Sequence, residues 1–306
     1  MLGDLISLLS ATLRISTPLT LSAIGGTFSE RSGVINIGLE GMILIGAFSA
    51  VAATYYTQNP WIGVLFAIFS GGMLAFVHAL LSIKFKANQV VSGVGVNILA
   101  LGFTTLMMQI IWGNRGASEG VQGLKTISIP ILSRIPVAGE IFKNQSPLVF
   151  VMFIIVVLSH IVLFKTPLGL RIRAVGEHPE AADTVGINVY RVRYFCVILS
   201  GMLSGLGGAY LSLSQMNVFS QNMSAGRGFI ALAANIFGKW TPLGSFGASL
   251  LFAFTDALQM KLQGSGVPFQ FIQMIPYILT ILVLAGAVRR AVPPAAIGKP
   301  YEKGGK

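Results

Sequence analysis

Acidic residues are scarce in this chain: 10 Asp and Glu stand among 306 positions, and even with 21 Lys and Arg the charged fraction is only 10%. An ordinary soluble domain carries about 25% charged residues, so a soluble globule is excluded. Asp4, Asp183 and Asp256 are single and scattered, which removes the paired aspartates a membrane prenyltransferase needs to hold magnesium and pyrophosphate. His78, His160 and His178 are isolated, so the H-E-x-x-H helix of an intramembrane zinc protease is missing too. The one cysteine, Cys196, allows no intramolecular disulfide and lies in an apolar run as a small hydrophobe. No G-x-x-x-x-G-K-[ST] occurs, since Gly238/Lys239 and Gly298/Lys299 are followed by Trp240 and Pro300. No cofactor, metal or enzymatic activity is expected, and any ATP must be hydrolysed by another chain.

What is present is apolar length. Hydrophobic residues make up 54% of the chain and the mean hydropathy is +0.77. Runs of about 20 residues, enough to cross a bilayer, lie near Leu5 to Ile24, Val34 to Tyr55, Trp61 to Ile83, Val90 to Trp112, Leu148 to Phe164, Tyr194 to Ser214 and Phe271 to Val288. Two shorter runs, Phe229 to Phe237 and Phe246 to Met260, are separated by Gly238, Pro242 and Gly244, the pattern of broken or re-entrant helices around a cavity. The expected fold is all-α, a polytopic membrane bundle with about eight to ten spanning or re-entrant helices. Residues 1–306 read as one transmembrane domain in which Leu5 onward is a retained helix, because no basic n-region or cleavage site precedes it.

The net charge of +11 sits in short loops flanking apolar runs, not in a stripe with interleaved aromatics, so it orients the bundle and does not bind nucleic acid. Lys84 and Lys86, the cluster from Lys165 to Arg193, and the tail from Arg289 to Lys306 are all expected in the cytoplasm. Parity agrees, with two segments between the first two clusters and four between the second and the tail if both short runs cross. The long loop Gly113 to Pro147 then falls outside despite Arg115, Lys125, Arg134 and Lys143. Three spans before Lys84 place Met1 outside, whereas a re-entrant second segment reverses that end.

The cytoplasmic stretch 166–193 is polar and helix-forming between two membrane segments. Pro179 suits a first helical position, Glu180 and Asp183 fall in or near the first turn, and Gly186 can close the helix. Ala181, Ala182 and Val185 then form a small smooth face suited to a groove; an ordinary surface helix is the alternative. Glu180, Ala181, Ala182 and Gly186 spell E-A-A-x-x-x-G, which resembles the coupling loop of ATP-binding cassette import permeases. Together with GVINIGLEGMILIGA from Gly33, SGMLSGLGGAYL from Ser200 and GRGFIALAANIFGKWTPLGSFGASLLFA from Gly226, the chain resembles the branched-chain amino acid and simple-sugar permease family of bacterial importers. Within that family it is most similar to permeases for nucleosides. The resemblance implies an inner-membrane permease, a second permease subunit, a cytoplasmic ATPase with duplicated nucleotide-binding halves and a lipid-anchored binding protein. It implies ATPase coupling for Glu180 to Gly186 only, because INVYRVRYF after Gly186 lacks the I-x-L-P ending seen in other importers.

Polar residues at membrane depth are candidates for the solute path, since each is costly in lipid. Asn36 and Glu40 are four apart, so on a helix they share a face; they either hydrogen-bond a solute or brace a broken helix. Asn97, Gln109, Asn235 and Asp256 are similar cases, and Phe229, Phe103 and Phe237 offer faces for a base or simply pack. Gly201 and Gly205 form G-x-x-x-G, serving contacts within the subunit or with a companion permease. Ribose-like sugars and branched-chain amino acids remain alternative solutes, and a stand-alone carrier or channel the alternative class.

Overall fold

The computed structural model describes residues 2–128, 138–263 and 292–303, with isolated helical positions between 270 and 281. Most of the apolar run Phe271 to Val288, together with Arg134, Arg289, Arg290 and Lys306, lies outside the described residues. The helices are α1 (Leu2–Arg31), α2 (Leu39–Thr57), α3 (Pro60–Ala79), α4 (Gln89–Trp112), α5 (Ala138–Phe142), α6 (Pro147–Lys165), α7 (Pro167–Glu177), α8 (Pro179–Thr184), α9 (Val189–Tyr210), α10 (Arg227–Phe237) and α11 (Pro242–Leu262). Wider π-type turns extend α3 through Lys84 and α9 through Met216. Six of these helices are long and apolar enough to cross a membrane. No strand occurs among the described residues, only two isolated bridges.

Helix starts follow a recurring two-residue rule. Asn59, Ser146, Thr166 and Thr241 each stand before a proline, and each side chain accepts a hydrogen bond from a backbone N–H of the first turn. Proline loses nothing there, because that first turn has no intrahelical acceptor for its N–H. Asn88 does the same without proline, accepting from the amides of Val90 and Val91 at 2.9 and 3.2 Å. The α2 end and the α4 end are closed by left-handed Gln58 (φ 55°) and Gly113 (φ 65°).

Helix α9 is the central post, packed on α1, α2 and α3. The approach is close enough to require glycine on both sides. A Cβ on Gly46 would lie 2.5 Å from Gly205 Cα, and one on Gly201 would lie 2.3 Å from the Gly71 carbonyl oxygen. The G-x-x-x-G pair therefore serves contacts within the subunit, where backbones meet and dispersion replaces the missing hydrophobic drive.

The chain alternates between two ends of the bundle. At one end Lys261 meets Asp4 at 3.3 Å, and the Ser118 and Leu124 amides donate to Phe219 and Leu213 at 2.8 Å each. At the other end, called here the basic end, Arg31 Nε donates to the Trp240 carbonyl at 2.7 Å and the Ala296 amide to Gly176 at 2.9 Å. Helix α10 is short: its 11 residues reach about 16 Å, from the start of α2 to the basic end. It then turns through Gly238 to Thr241 into α11, where Lys239 and Trp240 both adopt left-handed φ of 55° and 52°.

Glycine packing predicts a sharp contrast between substitutions. Gly205→Leu should cost at least about 3 kcal/mol and lower the thermal midpoint of the detergent-solubilised protein. Gly102→Ala, at a position with nothing within 4 Å of an added Cβ, should leave that midpoint unchanged.

Candidate functional site: a braced break in the bundle and the loop at its basic end

Between α1 and α2 the residues 34–38 run through the interior outside any helix, with only the Val34 amide and the Gly38 carbonyl bonded back to the flanking helices. A bare backbone there is tolerated only if side chains take over its donors and acceptors, and they do so almost group by group. The Ile35 amide donates to Gln89 Oε1 at 2.7 Å, and its carbonyl meets His78 Nε2 at 3.0 Å. Ser29 Oγ donates to the Val34 carbonyl at 2.7 Å. Asn97 Nδ2 donates to the Ile37 carbonyl at 3.0 Å, while its Oδ1 accepts from the Gly41 amide at 2.8 Å. Asn36 Oδ1 accepts from the Gly38 amide at 3.1 Å, and its Nδ2 donates to Ser200 Oγ on α9 at 2.9 Å.

The expectation that Asn36 and Glu40 share a helix face is corrected here, because α2 begins only at Leu39 and Asn36 lies in the irregular segment. Gly33 and Gly38 interrupt the run, and the buried side-chain partners make the break cheaper than the helix that hydropathy alone suggests. Glu40 projects from the first turn of α2 toward the start of α10. Its two carboxylate oxygens accept from the Gly226 and Gly228 amides at 2.7 and 2.6 Å. These are charge-assisted bonds placed where the α10 dipole is positive. An added Cβ on Gly228 would lie 2.3 Å from the Glu40 amide nitrogen, so the two helix starts touch.

Asn235, on the far turn of α10, is fully buried. Its Oδ1 accepts from Thr27 Oγ1 at 2.7 Å and its Nδ2 donates to Glu30 Oε2 at 3.0 Å. Trp240 Nε1 donates to the same Glu30 oxygen. Glu30 and Trp240 escaped the sequence reading, although an acidic residue next to Arg31 at the end of an apolar run was a visible signal. Phe229 remains 49% exposed on α10. Asn36, Glu40, Asn97 and Asn235 thus come together along one seam as partners of the protein's own backbone and side chains, with Phe229 open beside them.

The loop at the basic end has an inner and an outer face. Pro179 takes the first position of α8, and Gly186 closes it with φ 83° while the Ile187 amide returns to the Ala182 carbonyl at 3.0 Å. Ala182 is only 3% exposed, packed with Val175, Val189 and Tyr301, whereas Val185 is 74% exposed. The single smooth face of Ala181, Ala182 and Val185 is therefore corrected: a helix of 6 residues turns Ala182 inward, and Glu180, Ala181, Val185 and Gly186 stay outside. Helix α7 presses on the end of α1, since a Cβ on Gly176 would lie 2.1 Å from the Arg31 carbonyl oxygen. The Arg31 and Arg173 guanidinium groups both lie over the Phe164 ring, at 5.9 and 5.2 Å. Nearby, Lys86 Nζ lies 2.5 Å from Glu302, and this hydrogen bond holds the Glu302 carboxyl below its usual range. No group of three or more metal-ligating side chains exists among the described residues.

A helical membrane bundle with a polar seam, a half-length helix and a packed polar loop at its basic end has the anatomy of a transport permease. The sequence profile of the family described as "Branched-chain amino acid transport system / permease component" matches residues 8–284, and the chain belongs to that family. It is 44% identical to the guanosine ABC transporter permease protein NupQ of Bacillus subtilis, over 98% of this chain and 99% of the relative. It is 42% identical to the nucleoside ABC transporter permease protein NupC of Lactococcus lactis, over 94% of each. Similarity to a putative glucose ABC transporter permease, TsgC13 of Haloferax volcanii, is 36% over 95% of this chain and 96% of that one. No solved structure gives a significant match. The chain is thus a multi-pass permease subunit of an ATP-binding cassette importer in the bacterial inner membrane, a non-catalytic component of a system with an ATPase and a substrate-binding protein.

The Glu40 brace yields a direct expectation. Glu40→Ala leaves one buried and one half-buried amide unpaired and should lower stability by about 2–4 kcal/mol, read as a drop in the detergent thermal midpoint, while Phe229→Ala shifts it far less.

Proposed function

We propose that this permease carries nucleosides, in a pore shared with a second permease subunit, and that ATP-driven work enters through the outer face of α8. The observation that carries the coupling assignment is the division of that helix, with Ala182 sealed inward and Glu180, Ala181 and Val185 left bare. A bare face of small side chains carrying one carboxylate, Glu180, on a loop between membrane helices fits a groove on a cytoplasmic ATPase. The nucleoside assignment rests on the two relatives at 44% and 42% identity, whose names specify guanosine and nucleosides. We assign the basic end to the cytoplasm, as the excess of Lys and Arg in its loops favours. The ATPase hydrolyses the nucleotide in place of this chain, carries two nucleotide-binding halves, and works with a lipid-anchored receptor outside.

The side open to the companion subunit is formed by α4 and α10. Ile98, Leu101, Thr105 and Gln109 of α4, together with Arg115, line a shallow cavity of about 400 Å³. Apolar surface for a base beside a few hydroxyl and amide groups for a sugar fits a neutral polar solute. Work applied to α8 has a continuous packed route inward. It runs from α7 to Arg31, from Arg31 to the carbonyls of Lys239 and Trp240, and along α10 to the Glu40 brace. A rigid shift of α10 against α2 then opens one side of the path and closes the other.

Two measurements test this. Ala181→Trp, on the exposed face, should weaken ATPase association by at least about tenfold, or ~1.4 kcal/mol, with normal membrane insertion; unchanged association removes the coupling assignment. In proteoliposomes holding the complete complex, unlabelled guanosine should suppress labelled nucleoside uptake whereas ribose and leucine do not. Full-rate uptake without nucleotide would overturn the importer mechanism.

A further inference from the structure

Residues 292–303 run along the cytoplasmic face and are tied to it at each step. The Ala295 amide donates to Glu177 Oε2 at 3.1 Å, and the Ala296 amide to the Gly176 carbonyl at 2.9 Å, both on α7. The Gly298 amide donates to the Gly33 carbonyl at 3.1 Å, in the segment between α1 and α2. Arg193 of α9 donates through Nη1 to the Lys299 carbonyl at 3.0 Å and through Nε to the Ser32 carbonyl at 3.2 Å. Tyr301 then inserts its ring, 4% exposed, between α7, α8 and α9, with the Tyr190 ring centroid 5.4 Å away. Its immediate neighbours are Val175, Ala182 and Val189.

A stretch without helical bonds of its own needs ties to the rest of the protein to be ordered, and this one is tied to four elements. The arrangement also leaves a mark in the core: Arg193 is a guanidinium 2% exposed, and its nearest acceptors are two backbone carbonyls, one of them in this stretch. Its hydrogen bonds go to those neutral carbonyls while Glu180 supplies the nearby negative charge; a buried cation is costly without such partners, so the stretch and α9 depend on each other. Ala182 gains a second reason for its size, because a larger side chain would strike Tyr301. Helix α8 is only 6 residues long, too short to be stiff by its own hydrogen bonds. Its rigidity has to come from what it packs on.

We infer that residues 292–303 are a positioning strap: Tyr301 and its neighbours lock the inner face of α8 to α7, α9 and the segment at Gly33. A push on the outer face is then delivered to the bundle instead of folding the loop away. The strap rests on the importer reading but makes a separate demand. Docking belongs to Ala181 on the outer face, whereas transmission belongs to Tyr301 on the inner face.

The test uses the reconstituted complex and reads three quantities: ATPase bound per permease, ATP hydrolysed, and solute moved per ATP. Tyr301→Ala should bind ATPase to within about twofold of the unaltered protein and still hydrolyse ATP, yet move about tenfold less solute per ATP, inside the usual range of coupling between sites. Tyr301→Phe keeps the ring and should behave as the unaltered protein. A Tyr301→Ala variant with an unaltered ratio of solute to ATP overturns the strap while leaving the importer reading intact. An unaltered complex that needs no nucleotide overturns both. A second experiment removes dependence on the folding of that variant. Glu177→Cys with Ala295→Cys, joined by a short bis-maleimide while the buried Cys196 stays unreactive, should transport at the uncrosslinked rate. Arrest of transport on crosslinking would mean that the stretch has to let go, and would sink the inference.

Discussion

Every peptide group that crosses lipid without helical bonding has to find a partner inside the protein, and this constraint organises the bundle around residues 34–38. Gln89, His78, Asn97, Asn36 and Ser29 come from three different helices and the segment itself, yet they converge on a handful of amides and carbonyls. Once that break is stabilised, α2 can begin well inside the bundle, and Glu40 in its first turn is carried to the start of α10. The half-length helix then has an anionic cap from outside its own chain segment, which replaces the side-chain cap it lacks.

Polar chemistry therefore has a division of labour along the depth of the bundle. Near the break it satisfies backbone, and near the basic end it ties Glu30 to Asn235 and Trp240 and so fastens the α10–α11 turn to α1. Glycine packing between α2, α3 and α9 supplies the rigid frame against which such a unit can shift. The loop at the basic end touches α1 where Gly176 meets Arg31, and the frame where Ala182 packs on Val189 of α9, so it contacts both parts.

Much of the architecture was legible in the sequence because apolar run length is a one-dimensional property. The six long spans fall where hydropathy places them, and the break between the two shorter helices lies where Gly238 ends α10 and Pro242 opens α11, although Gly244 falls within α11. Pro179 and Gly186 bound the short helix as local chain stereochemistry requires. What failed was direction. Asn36 was placed on a helix because its amide could not be seen to be capping Gly38 and reaching Ser200, 164 positions away. Ala182 was placed on an outward face because nothing near it in the chain reveals Tyr301, and small size suits a buried contact as well as an exposed one. The candidate polar residues were found by their cost in lipid, but that cost is met equally by a solute or by the protein's own backbone, and composition does not distinguish them.

The brevity of α10 has a consequence for how little has to move. Between the amides held by Glu40 and the turn at Trp240 lies roughly half the ~30 Å of a hydrocarbon core, so under the proposed mechanism the part that shifts spans only half the membrane. Under that mechanism, a unit so short exchanges its open and shut faces with displacements of a side chain's length, comparable to what a six-residue wedge at the membrane surface is able to deliver.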